Sequence, residues 1–236
     1  MKKNILGLLV LFNFGIAHAS QESTTLPKEA TQLPQQSTKL ISEPTKIMVD
    51  QTDPYSMINQ VANITFKRFA NEQAEIKQNP NLLKLIVKEE LIPYVNYRYA
   101  ALKVLGKNLR KQKREDVEAF IPIFRDYLIT SYAQVFTLYE QQKVEFQPAK
   151  SIDGKKTVAV NVEVIQPGGS PIKISFQVRK DKKSSRWQAF NMIAEGVSLL
   201  DSKRAELNSL INQRGLPYVT ELLKEKSQRD IYFKQA

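Results

Sequence analysis

The chain has 236 residues, no cysteine, a single histidine, His18, and a formal net charge of +11. Without cysteine there are no disulfides, thiolate nucleophiles or thiolate metal sites, and one histidine leaves little room for Ser-His or imidazole-zinc chemistry. A basic balance points to an anionic counterpart: nucleic acid, a membrane face or an acidic partner.

Met1-Lys2-Lys3 is a short cationic lead, Ile5 to Ile16 an apolar run and Ala17-His18-Ala19 a small-residue cleavage site, so residues 1–19 read as a secretory signal peptide. The run is too short for a bilayer span, which needs ~20 residues, and no other segment is apolar enough to cross. Cleavage after Ala19 takes His18 with it. The expected product is a soluble periplasmic protein of net charge +9, without histidine or cysteine, in which the commonest general base and nucleophile pairs are excluded. Export argues against nucleic acid, as does the lack of alternating aromatic and basic residues of a base-stacking groove. Anionic lipid headgroups or an acidic partner surface remain.

Residues 20–49, rich in Ser, Thr, Gln and Pro with no helical or strand period, are expected to be a disordered spacer. Residues 50–228 then form one domain, and 229–236 a C-terminal tail.

Asp53-Pro54 is a helix start, with an acceptor side chain at the N-cap and proline where no donor is missed. Ile58, Val61, Ala62, Phe66 and Phe69 follow as one buried stripe. Asn79-Pro80 repeats the device ahead of Leu82, Leu83, Ile86 and Val87, and Pro93 ends or kinks that helix. Tyr97 to Leu105 is a short helix closed by Gly106. Lys107, Arg110, Lys111, Lys113 and Arg114 form the densest basic cluster, read as a solvated connection, with a membrane-headgroup or partner contact as the alternative.

The strongest period runs from Glu115 to Gln142 through Val117, Phe120, Ile121, Phe124, Leu128, Tyr132, Val135 and Tyr139, a central helix with Pro122 inside it. Four strands follow: Lys143 to Gln147, Thr157 to Ile165, Ile172 to Val178, and Arg186 to Met192 with the only tryptophan, Trp187. Short links between them imply an antiparallel meander, apolar on one face. Ser198 opens a helix from Leu199 to Arg214, stopped by Gly215. With Asp201 three residues on, Ser198 fits a capping box; it lacks the Gly-x-Ser-x-Gly frame and a histidine that a nucleophile would need. Leu216 to Ser227 is the last helix.

Three segments together resemble the MlaC family. They are Asp50-Gln51-Thr52-Asp53-Pro54-Tyr55; Leu91-Ile92-Pro93-Tyr94-Val95 with Tyr99 and Val104-Leu105-Gly106; and the run from Trp187 to Ser198, WQAFNMIAEGVS. The resemblance covers residues 50–227. It implies a carrier that shuttles phospholipid between an outer-membrane lipoprotein complex and an inner-membrane ABC transporter bearing an MCE-domain protein. It also implies an α+β fold in which helices and a curved four-stranded antiparallel sheet enclose an apolar cavity for the acyl chains. Phospholipid is then cargo, and no cofactor is expected. The spacer before residue 50 is longer than the family leads one to expect, and Pro122 interrupts the central helix.

A helix stripe facing an alternating sheet places Phe120, Phe124, Leu128, Val135, Val160, Val162, Ile174 and Phe176 as candidate cavity residues, the strand parity being a guess. Tyr99, Leu102, Trp187 and Met192, in or beside the matching segments, complete the set. Two other classes compete: an adaptor whose basic face docks to a membrane complex, and an enzyme working with paired carboxylates, for which Glu195 is the one nominee.

Overall fold

The computed structural model describes residues 49–140, 142–166 and 168–233. The expected signal peptide and nearly all of the expected spacer lie outside them. Val49, the last residue assigned to the spacer, is buried beside Trp187. The expected tail is also part of the fold as far as Phe233: Ile231 is buried, and the Gln134 side chain donates to the Tyr232 carbonyl at 2.8 Å.

Helix α1 (Pro54–Asn71) starts as its sequence dictates, with the Asp53 carboxylate accepting from the Ser56 amide at 2.6 Å. After α2 (Gln73–Gln78), Asn79 accepts from the Asn81 amide in a turn rather than capping a helix directly, and α3 (Leu82–Ile86) begins two residues later than Pro80. It then widens to a π-helical turn (Val87–Leu91) and tightens to a 3-10 turn (Ile92–Tyr94), the break that Pro93 enforces. Helix α4 (Tyr97–Leu105) is capped by the Asn96 side chain on the Tyr99 amide and closed by Gly106, whose φ of +52° suits glycine. The basic stretch Gly106–Lys111 is an ordered 3-10 helix and not a loop.

Helix α5 (Arg114–Phe136) runs through Pro122, whose ring points to solvent, and stops six residues before Gln142. Its end is tightened by i to i+3 bonds: the Thr137 hydroxyl donates to the Gln134 carbonyl at 2.7 Å, and the Leu138 and Tyr139 amides donate to Val135 and Phe136.

The sheet is antiparallel, in sequence order: β1 (Val144–Phe146), β2 (Thr157–Val164), β3 (Ile172–Lys180), β4 (Trp187–Ala194) and β5 (Val197–Ser198). The fifth strand is additional to the four expected. It follows a two-residue turn in which Glu195 and Gly196 both have positive φ, the geometry a tight hairpin requires. Between β3 and β4 the register shifts: Gln177 faces Asn191 and Val178 faces Ala189, leaving Phe190 as an extra residue that bends the strand. Helices α6 (Leu199–Arg214) and α7 (Leu216–Gln228) close the fold, α6 capped by the Ser198 hydroxyl on the Asp201 amide at 3.1 Å.

Three apolar clusters hold these parts together. The largest joins α4, α5, α6 and α7 through residues such as Leu105, Phe120, Phe124, Leu207, Leu216 and Leu223. A second gathers Phe69, Ile86, Val87, Ile129, Ala133 and Ile231. A third seats α1 on one end of the sheet through Met57, Val61, Val158, Val160, Val178 and Trp187.

Candidate functional site

At the other end of the sheet, helices and strands part and leave a cavity of about 250 Å3. One wall is α1, presenting Ile58, Val61, Ala62, Thr65 and Phe66 on successive turns. The second is the last turn of α5 and the segment after it, with Tyr132, Val135, Phe136, Leu138 and Tyr139. The third is the inner sheet face, through Val162 and Val164 of β2, Ile172, Ile174 and Phe176 of β3, and Met192 of β4. The break at Pro93 supplies the closing edge: it turns Leu91, Tyr94 and Val95 inward, and the Asn96 amide ties this corner to the Ala189 carbonyl at 2.7 Å.

No charged side chain lines the cavity. Its few polar side chains are committed elsewhere. Thr65 donates its hydroxyl to the Val61 carbonyl at 2.7 Å. Asn191 donates to Gln177 and Ser198 and accepts from the Leu200 amide. Gln142 accepts from the Glu140 amide. Burial raises the pKa of the Tyr94 and Tyr139 phenols, and pushes that of Tyr132 up to about 12, because the rings face the cavity and protein atoms rather than water. Aromatic rings stiffen one wall: Phe66 stacks on Tyr139 with centroids 4.6 Å apart, and Phe69 lies 4.8 Å from Phe136. Behind the bulge, Tyr99 meets Phe190 edge-on at 5.0 Å and is covered on the outside by the Arg179 guanidinium at 4.1 Å.

The sheet face that carries Val160, Val162, Ile174 and Phe176 turns toward the helices, and the candidate residues divide along it. Val135, Val162, Ile174, Phe176 and Met192 line the cavity. Phe120, Phe124 and Leu128 do not: they point into the helical cluster against α4, α6 and α7, because the α5 stripe faces other helices over most of its length. Val160 and Trp187 sit in the close-packed end of the sheet under α1. Leu102 packs against the helical cluster, and Tyr99 lies outside Phe190. The α1 wall and the Pro93 corner were not among the candidates, although the stripe Ile58, Val61, Ala62, Phe66 was visible as a helix face. Glu195, the carboxylate nominee, lies in the β4–β5 turn and accepts from the Lys173 amide, a structural bond. Among the described residues no group of three or more His, Cys, Asp or Glu side chains could hold a metal ion, and no helix is long and apolar enough to cross a membrane.

A partly open recess of about 250 Å3 with walls of this kind suits an apolar guest. The walls favour hydrocarbon by area and carry no charged group to fix an ionic headgroup.

Comparison with known proteins agrees with this geometry. A family model described as MlaC protein matches residues 59–225. The chain is similar to the intermembrane phospholipid transport system binding protein MlaC of Haemophilus influenzae, 32% identical over 188 residues that cover 79% of this chain and 88% of the relative. Its fold is similar to that of a phospholipid-binding protein from Ralstonia solanacearum, solved in complex with a phospholipid, with a TM-score of 0.65 at 16% identity over 74% of this chain and 97% of that one.

Proposed function

Because the chain belongs to the MlaC family, we propose that it is a periplasmic carrier that takes up phospholipid by its acyl chains and passes it between an outer-membrane lipoprotein complex and an inner-membrane MCE-domain ABC transporter. The observation that carries this reading is the cavity itself, walled by α1, the end of α5 and the sheet, and free of charged side chains.

The energetics set the task. Two chains of about fourteen methylenes, at ~0.8 kcal/mol each, cost on the order of 20 kcal/mol to expose to water, so the carrier must replace the bilayer nearly in full. The sequence has no Gly-x-x-x-x-Gly-Lys-[Ser/Thr] loop with which to draw on a nucleotide. Direction therefore comes from the difference in affinity between the loaded and emptied carrier at its two membrane complexes. No bond is made or broken, so the protein works as a carrier and not as a catalyst.

Organic-solvent extraction of the purified protein followed by lipid mass spectrometry tests the proposal. Stoichiometric phospholipid is expected; a clean extract from protein purified without detergent would sink it in favour of an adaptor. Intact mass of the exported protein checks the compartment, with Ser20 expected as the first residue.

A further inference from the structure

The cavity leaves one conspicuous surface unused. Lys107, Arg110, Lys111 and Lys113 are all exposed, and among the described residues none of them forms an ion pair. They do not sit on a floppy loop. Lys107, Arg110 and Lys111 belong to the 3-10 helix Gly106–Lys111, whose three-residue turn aligns Lys107 with Arg110 on one edge. That helix is nailed to α6: the buried Asn108 side chain donates to Asn208 at 2.8 Å, and Asn208 in turn donates to the Val104 carbonyl at 3.1 Å. The Arg204 guanidinium lies over Gly106, so close that a Cβ there would fall 2.7 Å from its nitrogens.

The cluster also runs against the local rules of stability. Lys113 occupies the N-cap of α5 with no side-chain cap bond, and Arg114 follows at the first helical position. Lys113 there forgoes the acceptor that Ser or Asp would supply, while Glu115 and Asp116 in the first turn answer the helix dipole. Broken local rules are expected where function requires the residue.

We propose that this basic platform docks the protein electrostatically to an anionic phospholipid bilayer surface. A protein partner would call for aromatic or aliphatic anchors, and none of the exposed large apolar residues, Leu85, Val197, Tyr218, Tyr232 and Phe233, belongs to the platform. An array of lipid headgroups needs only charge, about fivefold in partition per cation close to the surface. The platform sits at the N-terminal end of α5 and the cavity begins at Tyr132, roughly 28 Å further along the helix at 1.5 Å per residue. Docking therefore leaves the cavity end clear for exchange. This surface goes beyond the cargo site and is tested without reference to it.

Sedimentation with vesicles of phosphatidylglycerol and phosphatidylethanolamine, against vesicles of phosphatidylcholine, gives the readout. The protein is expected to pellet with the anionic vesicles at about 20 mM salt and to be released at about 500 mM, where screening shortens the reach of charge to a few ångströms. Replacing Lys107, Arg110, Lys111 and Lys113 by glutamine should weaken that binding about 100-fold or more, with the melting temperature and extracted lipid unchanged. A control in which Lys150, Lys155, Lys182 and Lys183 become glutamine loses the same net charge and should keep most of the binding. Lys113→Ser alone should lower vesicle binding while raising the melting temperature by about 2–4 °C through the restored cap, so that weaker binding cannot be ascribed to unfolding. Failure of the native protein to pellet, equal pelleting with phosphatidylcholine, or equal loss in the control variant would overturn the proposal. Vesicle binding retained in the platform variant, with loss only of delivery to a protein complex, would overturn it in favour of an acidic protein surface.

Discussion

Val160 and Val162 are two residues apart on β2 and point to the same face of the sheet, yet one lies in the close-packed cluster under α1 and the other in the cavity wall. Substituting tryptophan at each separates cavity from core within a single strand. At Val162 the indole would occupy about a third of the cavity, about 80 Å3, without overpacking its neighbours. It would also take the place of three or four methylenes of acyl chain, about 3 kcal/mol at ~0.8 kcal/mol each, or a factor of about 100 in lipid affinity. At Val160 the same side chain overpacks, costing about 1–3 kcal/mol and lowering the melting temperature by about 2–12 °C. Calorimetry and lipid extraction on the same two samples give the answer. Val162→Trp should keep its melting temperature and lose lipid, and Val160→Trp should do the reverse. If Val162→Trp retains a full lipid load and melts early, the void is not the cargo site.

Replacing Ser198 by alanine removes the α6 cap and a partner of Asn191, and should cost about 1 kcal/mol by denaturant titration without altering lipid content; lost lipid binding at unchanged stability would give Ser198 a role other than capping. Tyr132 should make the protein sensitive to alkali. Its phenol ionises near the ordinary 10.0 in the unfolded chain but only at about 12 in the fold, so the stability it contributes is complete below pH 10 and is lost as pH rises towards 12. Tyr132→Phe should flatten the melting temperature across that window, and an unchanged alkaline profile would refute the assignment.

Much of the fold was legible because its local signals agree with its packing. Asp53-Pro54, Tyr97 to Gly106 and Ser198 to Gly215 each carry a cap, a period and a stop, and the helices follow them. The cavity was harder to read because periodicity reports which face is buried and not what buries it. The α5 stripe is continuous in sequence, but its first part meets other helices and only its last turn meets the void. In the same way Val158, Val160, Val162 and Val164 alternate without a break while their environment changes midway along β2. Nor could composition anticipate the fifth strand, which depends on Glu195 accepting a left-handed conformation beside Gly196.

The division of β2 and β3 into a packed end and an open end bears on how the protein lives between deliveries. Val158, Val160, Val178 and Trp187 lock α1 to the sheet through contacts that involve no guest, and the ladder from Thr157 opposite Arg179 to Val164 opposite Ile172 is continuous across both halves. The packed half thus acts as a permanent frame from which the open half is suspended, with the short edge strand β1 attached only at that open side, Val144 opposite Val164. Opening events that admit or release a chain can be confined to this edge as local, low-energy excursions while the frame stays shut.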